Sequence, residues 1–404
     1  MRGARWYDVE YRQVSDLDAV ADLAKAAFVI RRPNQAAAVQ WLERSIEHGR
    51  QLYGIYDGTT LLSVYMLYDF RMHLRGAVVP MGGIGLLCSR LDARGKGAVR
   101  TMISAALGTM RDAGHAVSVL DPFRRVFYEK YGWGLFDRRQ EMEIAPGGLS
   151  VPDDAGPAHN VVDLPFPDDA ARAFYNELAA TRLSLVQRGE AEWEARTWVL
   201  PWHTNIATRG VVKIARDGKV VGLIGYDLSG RADAWHPTLS VNLLLVRDEP
   251  AKREALRYLN RLSHQVKTLR FDLPPDDDLW VYLTDGPDKW ELREKFMLRV
   301  VSVDALDGLA VDADDLSISI DVVDEQAPWN AGIWRWTVDR GILRVERIER
   351  ADRADVRCGI GALSSILSGF TDFKAMIAAG RCEPLPTYAG QDLPRATTFL
   401  ADYF

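Results

Sequence analysis

The stretch from Met81 to Asp137 constrains this chain more than any other. An apolar run, Gly83–Cys88, reads as a strand, and a polar loop holding Arg94-Gly95-Lys96-Gly97 follows it. Apolar residues at Val99, Met102, Ile103, Ala106, Leu107 and Met110 then keep the spacing of one buried helix face. Gly114 supplies the C-terminal stop, and Ala116–Leu120 reads as a second strand. Strand, glycine-bearing loop, helix and strand in that order predict a layered α/β unit.

The loop carries chemistry because of where it falls. A helix N-terminus leaves N–H groups unpaired and bears a partial positive charge. Glycines at 95 and 97 let a ligand approach the backbone without meeting a Cβ. Arg94, Lys96 and Arg100 add positive charge around it. The combination is an anion cradle suited to a pyrophosphate. No G-x-x-x-x-G-K-[ST] run is present, so a Walker-type nucleotide loop is disfavoured.

Composition excludes several classes. A length of 404 residues suggests two or three domains, and 48% hydrophobic content is ample for several cores. A net charge of −6 argues against a general nucleic-acid surface. The first residues show no apolar signal-peptide core, and no apolar run approaches the roughly 20 residues that span a bilayer. A soluble cytoplasmic protein is expected. Three cysteines, Cys88, Cys358 and Cys382, have no metal-ligand spacing and fit a reducing compartment. Cys88 reads as a small core residue rather than a nucleophile. The seven histidines contain no H-E-x-x-H, and no metal is expected.

Along the chain, Val9–Val14 reads as a strand, then a helix capped by Ser15 or Asp16 runs to about Ala27, and a second spans about Gln35–His48. Gln51–Tyr56 turns at Asp57-Gly58 into Thr60–Phe70, with a further strand near Ala77–Val79. A Pro/Asp/Ala/Gly-rich stretch from about Pro152 to Asp163 reads as a linker. The segment Ala215–Leu228 then echoes Tyr56–Phe70, and Val241–Leu259 echoes Gly85–Met102, so a second copy of the first fold is expected. Gap-free alignment puts Ala251 at Arg94, Lys252 at Gly95 and Glu254 at Gly97. The second copy therefore lacks the cradle and is expected to hold a carboxylate at that helix N-terminus. Trp280–Leu283 reads as a short strand. Ser317–Val323, Gly332–Val338 and Gly341–Ile348 read as strands, and Ile360–Leu367 and Asp372–Ala379 as helices.

The segment Arg94-x-x-Gly97-x-Val99 resembles the acetyl-CoA-binding motif of the GCN5-related N-acetyltransferases, Arg/Gln-x-x-Gly-x-Gly/Ala, departing at its last position. That departure, with Tyr128-Glu129-Lys130-Tyr131-Gly132-Trp133-Gly134 downstream, resembles the enhanced intracellular survival (Eis) subfamily over nearly the whole chain. The stretch Ala327–Trp336 and the strand-then-helix order after it resemble that family's sterol-carrier-like third domain; lipid binding does not follow from the fold. The implied fold is α/β with mixed sheets: two tandem acetyltransferase folds, at 1–150 and 151–296, and a sterol-carrier-like α+β domain at 297–404.

The resemblance implies direct acetyl transfer from acetyl-CoA to an amine. Backbone groups around Leu87 and Ser89 would take the pantetheine arm, and Arg94, Gly95, Lys96, Gly97, Ala98 and Val99 the pyrophosphate. Tyr128 would be the general acid that protonates the departing thiolate, and the terminal carboxylate of Phe404 the base. On the residues alone, Tyr128 reads equally as a packing residue beside Phe127 and Tyr131, and a chain end as frayed. The implied acceptors are aminoglycosides or polyamines, or a lysine or N-terminal amine. Arg31, Arg32 and Tyr403 stand where acidic residues would favour a polycation. A homohexamer is implied, with no nucleic acid or membrane as partner. A non-catalytic ligand-binding or assembly protein built on the same folds is the alternative.

Overall fold

The computed structural model describes residues 9–28, 34–153, 158–181, 184–197, 206–229, 237–311, 313, 315–348 and 354–402. It divides into one unit of Met1–Asp137 with Lys295–Phe404 and another of Arg138–Glu294.

The first unit opens with β1 (Val9–Gln13), α1 (Leu17–Ala27), α2 (Gln35–Glu47), β2 (Gln51–Asp57), β3 (Thr60–Leu74) and β4 (Ala77–Ser89). Then come α3 (Ala98–Asp112), β5 (Val117–Leu120), α4 (Arg125–Glu129) and β6 (Gly134–Leu135). Asp16 caps α1 by accepting from Ala19 N at 3.0 Å, and Asn34 caps α2 through Ala36 N at 2.8 Å. β3 is buried continuously from Leu61 to Tyr68, which is why its sequence is an unbroken apolar run rather than an alternation. The strands expected near Ala77–Val79 and at Gly83–Cys88 are one strand. Pro80 between them offers no N–H, yet its carbonyl accepts Ala116 N at 3.0 Å, so the ladder continues through it.

The second unit contains β7 (Arg138–Ile144), β8 (Asn160–Leu164), α5 (Asp169–Ala179), α6 (Glu190–Thr197), β9 (Ile206–Arg216), β10 (Lys219–Ser229), β11 (Thr238–Val246), α7 (Glu249–Arg261), β12 (Thr268–Leu273) and β13 (Lys289–Glu294). Its sheet order is β13-β7-β12-β11-β10-β9-β8. It repeats the first plan: an Asp217-Gly218 hairpin with both residues at positive φ, then parallel pairing of Thr238–Val241 with Thr268–Phe271, matching Met81–Ile84 with Val117–Leu120. The short strand expected at Trp280–Leu283 is not formed: Leu279–Tyr282 make a 3₁₀ turn, and the Asp277 carboxylate accepts Leu279 N at 2.8 Å and commits the backbone to a local turn.

The chain then returns to the first unit with β14 (Met297–Val300), β15 (Ser317–Val323), β16 (Gly332–Asp339), β17 (Ile342–Ile348), β18 (Val356–Gly359), α8 (Ile360–Leu367), α9 (Phe373–Ala378) and β19 (Cys382–Pro384). The strands near the expected domain boundaries change sheets. β7 already belongs to the second sheet, and β14 closes the first one, order β1-β2-β3-β4-β5-β14-β6. The last sheet runs β17-β16-β15-β18-β19. The fold is thus α/β with three mixed sheets, as expected. No helix among the described residues is long and apolar enough to cross a membrane.

Buried polar contacts fasten the last domain to the first. Arg299 on β14 is fully buried, donating Nε to Tyr131 O at 2.8 Å, Nη1 to Val300 O at 2.7 Å and Nη2 to both Asp324 oxygens at 2.7 and 2.9 Å. Asp324 also accepts from Gln326 N, Ala327 N and Asn330 Nδ2. Arg75, in the left-handed Arg75-Gly76 turn between β3 and β4, donates to the carbonyls of Ile366, Leu367 and Pro394, closing the C-terminus of α8. A Cβ on Gly134 would lie 2.0 Å from Gly361 O, so only glycine lets α8 approach β6 this closely.

Removing one partner of a buried ion pair strands the other charge. Asp324→Ala is expected to destabilise the protein by about 3–5 kcal/mol, read from equilibrium denaturation. The paired replacement Arg299→Met with Asp324→Leu is expected to cost less than that single change.

Candidate active site

The first sheet positions the candidate site. β4 pairs with β5 only from Met81–Val117 to Ile84–Leu120, so Gly85–Ser89 continue without β5 partners. Here β4 carries a bulge: Val64 pairs with Cys88 and Met66 with Gly85, leaving Leu86 and Leu87 opposite Tyr65 alone. Leu86 takes φ 50°, a left-handed conformation rare for a branched apolar residue. Nothing in the local sequence signals this bulge. Ser63 Oγ donates to Ser89 Oγ at 2.7 Å, which turns that side chain toward β3. Ser89 therefore offers a ligand its backbone rather than its hydroxyl.

The loop then runs through Leu91–Ala93, one turn of 3₁₀ helix, to Gly97, the N-cap of α3. Gly95 and Gly97 have φ of 75° and 96°, and a Cβ on either would meet nothing within 4 Å. The glycines are required by backbone conformation, and the space beyond them is open. The N-caps of α1, α2, α5, α7 and α9 each supply a side-chain oxygen, whereas Gly97 supplies none. The first-turn N–H groups of α3 receive no side-chain cap. Arg94, Gly95, Lys96 and Gly97 are exposed, Ala98 is buried and Val99 half-buried.

Tyr128 lies on α4, whose five residues are held by the Arg125–Glu129 pair at 2.7 Å and by Gly132, at φ 91°, closing its C-terminus. The Tyr128 ring is buried in edge contact with Phe127 and Trp133, in one apolar cluster with Ala98 and Met102 against which Leu87 and Val99 pack. The structure therefore gathers the β4 segment, the start of α3 and Tyr128. Burial, reinforced by the nearby Asp121 carboxylate, pushes the Tyr128 phenol above its ordinary value, so it keeps its proton throughout the neutral range. The same burial pushes the Cys88 thiol up to about 12, in keeping with a core residue.

The C-terminal segment docks on Phe136 and Asp137. Thr398 Oγ1 donates to Phe136 O, and Leu400 N to Asp137 Oδ2 at 2.7 Å, with Leu400 and Ala401 fully buried. Asp137 and Thr398, which tether the tail just past the Tyr128 segment, carry no pattern that would single them out in the sequence. Phe404, Tyr403, Arg31 and Arg32 lie outside the described residues.

The second copy lacks the cradle for a different reason from the one expected. Its strand and helix are joined by residues 247–248, against 90–97 in the first copy, so the loop is shorter by six residues (8 − 2). Asp248 caps α7, accepting Ala251 N at 3.1 Å, and itself pairs with Arg216 at 2.5 Å. Glu254 sits farther along the helix, bonded to Arg257 and Arg261 at 3.4 and 3.2 Å. The carboxylate at this helix N-terminus is Asp248, not Glu254; the gap-free alignment slid past the deletion.

Residues 8–136 and 184–300 each match an acetyltransferase (GNAT) domain family, and residues 303–402 match a sterol carrier protein domain. An uncharacterized N-acetyltransferase from Streptomyces avermitilis is 26% identical over 352 residues, covering 82% of this chain and 83% of that protein. A GCN5-related N-acetyltransferase from Anabaena variabilis superposes with a TM-score of 0.84 at 17% identity, covering 98% of this chain and all of that one. Eis1 from Mycobacterium abscessus superposes at 0.77 with 20% identity, over 98% of this chain and 100% of that one. The chain belongs to the GNAT acetyltransferase superfamily and is an acetyltransferase, with two GNAT domains followed by a sterol carrier domain.

A thiol held near 12 is protonated at neutral pH. Iodoacetamide is expected to label Cys88 only after denaturation, and to leave acetyltransferase activity unchanged at that residue, read by peptide mass spectrometry beside an activity assay.

Proposed function

We propose that the first domain transfers acetyl directly from acetyl-CoA to an amine acceptor. The observation that carries this reading is the glycine-capped start of α3 following the end of β4 that has no β5 partner, in a segment that matches the GNAT domain. The N–H groups of Ala98 and Val99, with Arg94, Gly95, Lys96 and Gly97, would hold the pyrophosphate. Backbone groups of Leu87 and Ser89 would line the pantetheine arm. Absence of the corresponding loop from the second copy supports one acetyl-CoA site per chain.

In the proposed reaction a neutral amine attacks the thioester carbonyl, forming the C–N bond. The C–S bond then breaks, the ammonium proton passes to the terminal carboxylate of Phe404, and the Tyr128 phenol protonates the departing thiolate. A phenol with a raised pKa is a poor donor to a solvated thiolate, because each unit of mismatch costs about 1.4 kcal/mol. A thiolate buried beside it is penalised in the same way, as Cys88 illustrates, and the two affinities are brought back toward each other. The role of Phe404 rests on resemblance to the Eis family and is supported by the anchored tail at Thr398 and Leu400. That resemblance also proposes a hexamer, a cytoplasmic location, and aminoglycosides, polyamines, lysine or N-terminal amines as acceptors.

The test is acetyl-CoA turnover, followed as free thiol, across a panel of such amines. Tyr128→Phe keeps the ring in its cluster and is expected to lower kcat about 10²–10⁴-fold, with deletion of Phe404 lowering it comparably. Gly97→Asp would place a carboxylate at the start of α3 and strain a backbone held at φ 96°, and is expected to raise the KM for acetyl-CoA and to lower the melting temperature. Failure of the chain to bind acetyl-CoA in a calorimetric titration would overturn the assignment. Full activity in Tyr128→Phe would remove that residue from the mechanism.

A further inference from the structure

β18 and β19 set two of the chain's three cysteines directly against each other. Cys358 and Cys382 are opposed in the antiparallel ladder, so their side chains leave the sheet on the same face. Both are buried, while Arg357 and Glu383, the next pair along, are exposed. Both are free thiols in the structure. The remaining cysteine, Cys88, lies opposite Val64 in a different sheet.

The alternation of the ladder fixes which kind of pair this is. Leu385 N donates to Asp355 O at 2.8 Å, which makes these two residues a hydrogen-bonded pair. Along the same register Arg357 and Glu383 form the next hydrogen-bonded pair, and Val356–Pro384 and Cys358–Cys382 fall at the non-hydrogen-bonded places between. Pro384 agrees, because a residue without an N–H costs the ladder nothing there. Non-hydrogen-bonded partners bring their Cα atoms to about 4.5 Å, the closer of the two spacings. A disulfide spans Cα separations of roughly 4.4–6.8 Å. The backbone therefore already has the spacing that a bridge requires. The two thiols also meet: a hydrogen bond to Cys382, with burial behind it, pushes the Cys358 thiol well above its ordinary range.

We propose that Cys358 and Cys382 form a reversible cross-strand disulfide, made when a low-molecular-weight disulfide reaches the edge of the last sheet. β19 is three residues long and has a neighbour on one side only, so its local opening uncovers Cys382 first. The Cys382 thiolate attacks the reagent's S–S bond, and one reagent thiolate leaves. Cys358 loses its proton to solvent, attacks the Cys382 sulfur of the mixed disulfide and expels the second thiolate. The cysteine pair gives up two protons and two electrons, and the reagent disulfide is reduced to two thiols. The bridge closes a loop that holds α8 and α9 entire. That loop includes Ile366 and Leu367, whose carbonyls accept from Arg75, and Ser364, whose Oγ accepts Val300 N at 2.9 Å. Oxidation staples the helix that the last domain sets against the first sheet, at a site independent of the acetyl-CoA cradle.

The native chain would be incubated with oxidised glutathione and quenched in acid, and its thiols counted in denaturant with dithionitrobenzoate. The count is expected to fall from three to one, with proteolysis yielding one linked pair of peptides that joins Cys358 to Cys382. The bridged chain is expected to melt several degrees higher than the reduced one, and dithiothreitol to reverse both changes. Cys88→Ser is expected to lose two thiols as before, and Cys382→Ser to form no linked pair and gain no thermal stability. If either variant misfolds, the thiol count and peptide linkage of the unaltered chain decide. Three thiols persisting in that chain would overturn the proposal. So would a bridge that includes Cys88, glutathione left as a stable adduct on Cys382, or a bridged chain that melts no higher than the reduced one.

Discussion

A fully buried guanidinium holds the first unit together. Arg299 sits on the strand that completes the first sheet, reaches the carbonyl of Tyr131 just past α4, and meets Asp324 at the end of β15. Burial drives the Arg299 pKa down, and the Asp324 carboxylate offsets part of that penalty. Such a pair adds little net stability over a well-packed apolar core. What it adds is registry: the three segments can assume only the arrangement in which every donor is met. Trp133, stacked at 5.6 Å from the Arg299 guanidinium and in contact with Tyr128, links that arrangement to the candidate acid. The sterol carrier domain is thereby tied, through Asp324 and Arg299, to the segment that carries the candidate site.

The two GNAT copies keep one fold and differ at the loop of the candidate site. Both retain the hairpin, the parallel strand pair and the helix between them. They differ in the loop that feeds the helix. In the first copy eight residues end on an αL glycine, and the helix start has no side-chain cap. In the second, two residues lead to Asp248, whose carboxylate satisfies the helix from within the chain. A capped helix is the more stable piece of protein, and an uncapped one the more useful to an anionic ligand.

Much of this was legible from pattern alone. The period of α3, the Asp-Gly hairpins and the repeat each follow from local chemistry, and each is where the residues put it. Gly95 and Gly97 fall where the backbone takes positive φ, a demand that a glycine pair in a short loop makes visible. Other features were hidden because their cause is distant. β14 is four residues long and acquires its place only from β5 and β6. The Leu86 bulge depends on the register of β3, and the tail anchor at Asp137 on a partner 263 residues away. The 3₁₀ turn at Trp280 followed an aspartate whose preference for its own backbone outweighed the β-propensity of the residues after it. The shortened loop was missed because alignment without gaps cannot represent a deletion.

The position of β14 between β5 and β6 bears on how the protein is made. A nascent chain emerging in order presents β5 and β6 long before the strand that belongs between them. The Arg138–Glu294 unit is contiguous and can fold as soon as its last strand clears the ribosome. The acetyltransferase domain that precedes it must wait with an open sheet for Met297–Val300, and Tyr131 waits with it for Arg299. A translation product that stops before Met297 therefore lacks the strand that joins β5 to β6.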